Sequence, residues 1–440
     1  MIPRLTRWED RLGGLVPLIS AVDNGLEHGL FSVEDGRLVP LPAGRCASLA
    51  TDGERLARLV PRGSVLEQNT IQTFDRNGLL TEFPASGTIE AHDIHWAGDE
   101  IVVVSTGDNR IVWFGADGGR RREVRLPGRG DAWHVNCLIT HEGRLLASAF
   151  GRFGDHREWG PRLEQRTGMI FDVHDGREVL EGLAAPHHPR VVDGTLVVCN
   201  SLHSTIAGLD PATGEPLREA ALGGFPRGLA VAAGALLVGL SAHRHSREGI
   251  PQARVAVLDR TTWKPLAEVP VPVQELYDIV LVPPELLHGL RAGLEEHPDP
   301  APVRLAEPCA PLANGDRRVT IELPAWPSSL PADDRVVLPC HVFNRGSVPL
   351  SSAGPDGVFV TARWTGLTEQ SRSKTPLEGT LVPGASAAGA VDLLTPADPG
   401  VYELAVTMEQ RDVPFDASSV VNAQVVITRV PTTGCACMCC

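Results

Sequence analysis

His92-Asp-Ile-His-Trp-Ala-Gly-Asp-Glu-Ile-Val-Val-Val104, followed by Arg110-Ile-Val-Trp-Phe-Gly-Ala-Asp-Gly118, decides the fold. A polar, His-containing step opens an apolar strand, and a Gly turn returns the chain as a second one. A third strand runs into an Asp-Gly hairpin, from which a fourth leaves. Asp-Gly and Asn-Gly between apolar runs are the strongest short-range hairpin signal. The unit recurs. Its first two strands start again at Cys46, His134, His188 and Arg227, and its outer hairpin returns at Phe31–Gly36, Phe74–Gly78, Phe171–Gly176, Leu209–Gly214 and Leu258–Trp263. That makes six outer hairpins but five complete inner pairs. Tyr277-Asp-Ile-Val-Leu-Val282 is a sixth inner strand without a partner, and the N-terminal Leu15-Val-Pro-Leu-Ile-Ser20 supplies one. Pairing the two closes a ring of four-stranded units, a six-bladed β-propeller over residues 14–283, in which only short, protected edges remain. The blades are expected at 14–41 with 277–283, then 46–83, 91–126, 134–180, 187–220 and 227–269. An array of two-sheet sandwiches is the alternative, and a period of about 40–50 residues favours the propeller.

Beyond Pro283 the pattern breaks. Residues 284–316, rich in Pro and charge, read as a linker with a short helix near Glu285–Glu296. Period-two strands resume at Arg318, Arg335, Gly357, Gly400 and Val420, so 317–430 is expected to be an immunoglobulin-like β-sandwich. Residues 431–440 form a Cys-rich tail. Its Cys435, Cys437, Cys439 and Cys440 offer thiolates to a soft metal such as Cu(I) or Zn, although the spacing is not that of a zinc finger. A tail without a specific role stays open beside that reading. The other five cysteines stand singly in apolar strands, where Cys is usually a small buried hydrophobe.

Composition agrees with an all-β chain. The 440 residues include 45 Gly and 36 Pro, a supply of turns that leaves little room for long helices. A formal charge of −14, with no basic block, gives no electrostatic case for nucleic-acid binding. Met1–Leu12 lacks the apolar stretch of a signal peptide, and the longest nearly apolar run, Gly228–Leu240, is too short to span a bilayer. A soluble, cytoplasmic protein without membrane insertion is expected.

Strand direction then places chemistry. The starts of the innermost strands and the turns between second and third strands share one face, because strands alternate. His92, His134, His187 or His188, Arg227 and Tyr277 or Asp278 should therefore ring one mouth of the axial channel. Two unusually long connections, Phe150–Gly168 and Ser241–Arg254, open on the same face and bring Arg152, His156, His243 and His245. Three imidazoles from different blades (His92, His134, His188) suit a divalent metal or an acid–base role, with Glu275 and Asp278 as carboxylates. Asp93, Asn136, His187, Arg190, Arg227 and Tyr277 suit ligand binding, with Arg190 and Arg227 as anion clamps. The competing reading is a polar network that fastens neighbouring blades.

The successive motifs His92-Asp-Ile, His134-Val-Asn-Cys-Leu, Pro186-His-His-Pro-Arg, Arg227-Gly-Leu-Ala and Glu275-Leu-Tyr-Asp resemble those of a bacterial family of uncharacterised six-bladed propellers. In that family the motifs are H-D-L, H-L-N-G-L, P-H-S-P-R, R-G-L-A and E-L-Y-D. The resemblance covers roughly 14–285, with Cys137 in place of Gly and His188 in place of Ser, and implies the fold and the site without a reaction. Asn344-Arg-Gly, Arg363-Trp364, Leu381-Val-Pro-Gly and Pro399-Gly-Val-Tyr resemble sandwich domains of bacterial glycan-handling proteins, although the expected aromatic pair is reduced to Pro414-Phe415.

Two functions are in view. The first is a binding or scaffold propeller for an anionic small molecule, glycan or peptide in surface-polysaccharide or natural-product assembly. The second is a propeller enzyme, a metal-assisted lyase, hydrolase or isomerase at the His-lined axis.

Overall fold

The computed structural model describes residues 7–21, 29–61, 69–242, 252–299, 309, 311–323, 326–352, 356–365, 373–377 and 380–429. Six four-stranded antiparallel sheets follow one another along the chain. From the axis outward, blade 2 is Ser48–Thr51, Leu56–Pro61, Asn69–Asp75 and Gly78–Pro84. Blade 3 is Ala91–Ala97, Glu100–Ser105, Arg110–Gly115 and Arg120–Arg125, and blade 4 is Cys137–His141, Arg144–Ala149, Gly168–Asp172 and Glu178–Leu183. Blade 5 is Pro186–Val192, Thr195–Asn200, Thr205–Leu209 and Pro216–Ala221; blade 6 is Phe225–Val231, Ala235–Ser241, Arg254–Asp259 and Pro265–Pro270. Blade 1 takes its innermost strand, Leu276–Val282, from the far end of the ring and the other three, Val16–Ala21, Leu30–Glu34 and Arg37–Pro40, from the N-terminal part. The closing pair is antiparallel, with Leu18 opposite Val280 and Ile19 opposite Ile279. Each innermost strand neighbours the next, and blade 6 returns to blade 1, so the ring is closed.

The apolar run Ile101-Val-Val-Val104 shows why these sequences make blades. Ile101 and Val103 pack with Leu59, Ile71 and Phe114 on one face. Val102 and Val104 pack with Ala147, Phe171 and Trp113 on the other. A strand buried on both faces reads as a continuous apolar run, and each fully buried Val or Ile contributes roughly 1.5–3 kcal/mol. The outermost strand Arg120–Arg125 is largely exposed and correspondingly charged. The hairpin turns have the expected left-handed backbone at Asp35 (φ 49°) and Gly36 (φ 70°). In blade 6 Trp263 occupies such a position at φ 55°, a conformation that costs a non-glycine residue about 1–2 kcal/mol; its ring is buried beside Gly208 of blade 5.

Residues 284–316 are not simply a linker. The helix Pro284–Glu296 buries Leu286, Leu287, Leu290 and Leu294 against Leu18, Leu30, Leu56 and Phe74 of blades 1 and 2. Gly289 and Gly293 let it lie directly on the outer hairpin of blade 2, where a Cβ on Gly289 would meet the Asp75 carbonyl at 1.9 Å. Just beyond the helix, Asp299 accepts the Gly44 N–H at 2.8 Å and pairs with Arg58, whose side chain is fully buried. Among the described residues, the first compact unit therefore includes the helix and runs on through Asp299.

The second unit is a β-sandwich. One sheet has the order Val319–Glu322, Arg335–Asn344, Ser386–Leu394. The other has Ser329–Pro331, Val421–Thr428, Gly400–Gln410, Val358–Trp364, Ser373–Pro376. Cys340 and Val342 from the first sheet and Val360, Trp364, Leu404 and Met408 from the second share one core. Cys46, Cys137, Cys199, Cys309 and Cys340 are all buried free thiols. No helix among the described residues is long and apolar enough to cross a membrane.

Candidate functional site

The innermost strands start with irregular pairing. The register shifts between Ala91 and Asp93, between His187 and Arg190, between Arg227 and Leu229, and opposite Tyr277. Bulges of this kind turn a side chain out of its ladder and are frequent beside functional sites. Here they sort the axial residues into two layers, one residue apart along each strand.

The inner layer is a buried belt. Ser48 Oγ donates to Asp93 at 2.6 Å and lies 3.2 Å from Asp278; Asp93 also accepts the Leu138 N–H at 2.7 Å. Asp278 accepts the N–H groups of Leu49 (3.1 Å) and Ile279 (2.8 Å), and its Oδ1 lies 3.1 Å from His188 Nε2. His188 Nδ1 accepts the Gly228 N–H at 3.0 Å and lies 3.5 Å from Cys137 Sγ. The proton of the His188 ring thus sits on Nε2, facing Asp278. A second proton, which Asp278 favours, would have to displace the Gly228 N–H. Burial and the neighbouring Asp278 charge push Asp93 up to about 6. Burial would also raise Asp278, but the pairing with His188 outweighs it and holds that carboxyl below the usual range. Asp93, His188 and Asp278 present ligand atoms within 4.8 Å of one another, the metal-capable group among the described residues. The expected trio of His92, His134 and His188 does not converge in that way, because the bulge turns His188 into the belt.

The outer layer is different. Arg227 is buried, with its guanidinium 4.4 Å from the Tyr277 ring centroid and 5.5 Å from that of Phe225. Its Nη2 is 3.4 Å from His92 Nε2, and Glu275 stands off at 3.7 Å from Nη1. Nε and Nη1 have no hydrogen-bond partner. Burial, then the neighbouring His134 and Arg227, hold the His92 imidazole well below its ordinary pKa, so it is neutral. His187 is held low by burial and Arg227. Its Nδ1 donates to Ser201 Oγ (2.9 Å) and to the Ala185 carbonyl (3.0 Å), since the Ser201 hydroxyl proton is already given to the Pro226 carbonyl at 2.6 Å. His187 Nε2 is left as a buried acceptor without a partner.

His134, at φ 49°, points its Nδ1 at the fully buried Asp131 carboxylate, 3.0 Å away. Its ring meets His92 (5.3 Å between centroids), Phe150 (4.2 Å) and Trp159 (4.4 Å). Phe150 and Trp159 come from the long connection of blade 4, which thus lies over the His-bearing layer. Trp159 is tied down by donating Nε1–H to the Asp131 carbonyl at 3.1 Å.

Other expected residues lie elsewhere. Arg152 pairs with Glu178 on the outermost strand of blade 4, away from the axis. His156 accepts the Asp131 N–H and so anchors the loop. Asn136 turns into its own blade, accepting from Ser148 and donating to the His134 carbonyl. Arg190 lies further along its strand, close enough to His95 to help burial depress that imidazole to about 4. His243, His245, Cys435, Cys437, Cys439 and Cys440 lie outside the described residues. Ser48, Asp131, Phe150, Trp159 and Ser201 were not anticipated. Only the Phe150–Gly168 loop length pointed towards two of them.

No curated protein matches the chain. Among solved structures, a chain from the nidogen/laminin complex is 16% identical with a TM-score of 0.45, and a protein of unknown function from Bacteroides caccae is 15% identical with a TM-score of 0.44. Each comparison covers 61% of this chain and 98% of the other. Residues 46–287, more than half of the chain, match the family described as a domain of unknown function (DUF4915). The match spans every innermost strand of the ring and both axial layers, and the chain therefore belongs to the DUF4915 family.

Proposed function

We propose that the protein is a ligand-binding propeller whose axial mouth takes an anionic small molecule, with Arg227 as its counter-ion. The observation that carries this reading is the buried Arg227 guanidinium with Nε and Nη1 unpaired. A buried charge without hydrogen-bond partners is costly, and folded proteins seldom keep one that nothing satisfies. His92 and His187, held neutral, add no charge of their own. Glu275 is too far away for a hydrogen bond. Aromatic walls from Tyr277, Phe225, Phe150 and Trp159 supply the apolar lining that small-molecule sites commonly have.

Calorimetric titration of the full chain with inorganic phosphate, succinate and malate tests the reading, with Arg227→Leu as comparison. Charge-assisted hydrogen bonds are worth about 1.5–3 kcal/mol each, so Arg227→Leu should weaken the binding anion at least about tenfold. Equal affinity in both proteins, or no binding of any anion, overturns it.

A metal-assisted enzyme is the second reading, supported by the Asp93, His188 and Asp278 cluster. Against it, every one of these three side chains is already engaged in the belt. Stoichiometric divalent metal in the purified protein, lost in His188→Ala, is what that reading requires.

A further inference from the structure

We infer that the anion bound at Arg227 also carries a hydroxyl or amine hydrogen that is donated to His187 Nε2, which makes the ligand a hydroxy- or amino-substituted acid rather than a simple carboxylate. The inference rests on the anion-binding reading and deepens it.

The tautomer of His187 follows from its surroundings. Ser201 Oγ gives its only proton to the Pro226 carbonyl, and the Ala185 carbonyl can only accept. Both therefore require the proton of His187 on Nδ1. Nε2 then presents a lone pair, and it is buried without a partner in a side chain that is 1% exposed. Its charged and titratable neighbours are Arg227, His188, His92 and His134, so this acceptor lies near the guanidinium whose Nε and Nη1 also lack hydrogen-bond partners. His134 stands beside it. With Nδ1 directed at Asp131, its other ring nitrogen is turned away from that carboxylate, and the ring is walled by His92, Phe150 and Trp159.

A fully deprotonated carboxylate offers acceptors only. It would answer Arg227 and leave His187 Nε2 unsatisfied. A metal ion would answer Nε2 but stand beside the Arg227 cation. Among the described residues, moreover, the imidazoles of His92, His134 and His187 do not form a metal-ligating group. An acid bearing an O–H or N–H satisfies both orphaned groups together.

The test uses matched pairs that differ only in hydroxyl groups, malate against succinate and gluconate against hexanoate, titrated calorimetrically into the full chain. The hydroxylated member of at least one pair should bind at least about tenfold tighter, the worth of one hydrogen bond to a buried unpaired acceptor. In His187→Phe the preference should fall below about threefold. Because His187→Phe can fail to fold, long-range proton–nitrogen correlation spectra of the unaltered, histidine-labelled protein give a second measurement. The hydroxylated acid should move the Nε2 resonance of His187, and the plain acid should not. Equal affinities within both pairs, with binding still dependent on Arg227, overturn the hydroxyl inference and leave the anion site standing. Absence of Arg227-dependent binding for all four acids overturns the reading beneath it as well.

Discussion

His188 Nε2 lies 3.1 Å from Asp278 Oδ1, which bonds blade 5 to blade 1 over the top of blade 6. The bridge is possible because blade 6 contributes Gly228 at this level. A Cβ there would come within 2.9 Å of the Asp278 backbone, and the Gly228 N–H fixes the His188 ring from the other side. Asp278→Ala should therefore cost about 3–5 kcal/mol, since it strands His188, Leu49 and Ile279 donors in a buried layer. Gly228→Ala, at φ 70°, should cost about 1–3 kcal/mol by overpacking alone. Denaturant titration of each variant measures both; losses below about 0.5 kcal/mol would mean that the belt does not fasten the ring.

A second ion pair makes a similar point at the rim. Arg58 is fully buried and depends on Asp299 and Gln72 for its hydrogen bonds. Removing one partner of a buried pair leaves an uncompensated charge, so Asp299→Ala should destabilise the propeller by about 3–5 kcal/mol. A double variant, Asp299→Ala with Arg58→Met, should recover most of that loss; failure to recover would show that packing and not charge is what Asp299 contributes.

Leu290→Ala distinguishes a helix that is part of the propeller from one that merely follows it. Leu290 is 0% exposed, within the core shared by blades 1 and 2. The expected cost is about 2–5 kcal/mol in the unfolding of the first unit. A helix in a tether would show almost none.

Stability should also fall as the solution is acidified from pH 7 to 5. His187 is buried neutral, with a folded-state pKa well below the ordinary value of 6.5, so below pH 6.5 the unfolded chain binds a proton that the folded one does not. Its contribution is complete above that pH and is lost on acidification. Asp93, raised to about 6 in the folded state, has the opposite sign: the folded chain takes up its proton first as the pH falls. His187→Gln leaves Asp93 in place, and it should flatten the dependence between pH 6 and 5 by about 1 kcal/mol per pH unit. Denaturation midpoints across that range check the slope, and an unchanged slope would mean that His187 titrates normally in the folded protein.

The architecture was legible because it is written locally and repeatedly. Asp-Gly turns, two-faced apolar runs and the unpaired Tyr277–Val282 strand depend on neighbours a few residues away, and the repeat multiplies the signal. The pairing of the segment Leu15–Ser20 with Tyr277–Val282 followed by elimination, as the one way to complete a sixth blade; the register that sets Leu18 opposite Val280 came from the structure. The starts of the innermost strands could likewise be assigned to one face from strand direction alone.

What tertiary structure decided was the direction of each side chain once there. His187 and His188 are adjacent in sequence, yet the bulge sends His188 into the belt and leaves His187 in the outer layer with a buried, unpartnered acceptor. No pattern of residue types reports a bulge's aim, or that Ser201 gives its proton to Pro226 and so sets the His187 tautomer. The fate of residues 284–299 was hidden for a similar reason: a Pro- and charge-rich stretch reads as a tether until the Gly289 and Gly293 face is seen against blade 2. The sequence by itself determined a six-bladed ring with histidines at one mouth. Which of them are tied into the scaffold and which keep an unpaired nitrogen depends on hydrogen bonds between residues as much as 258 positions apart, such as Asp278 to Ser20, and only the closed ring brings those together.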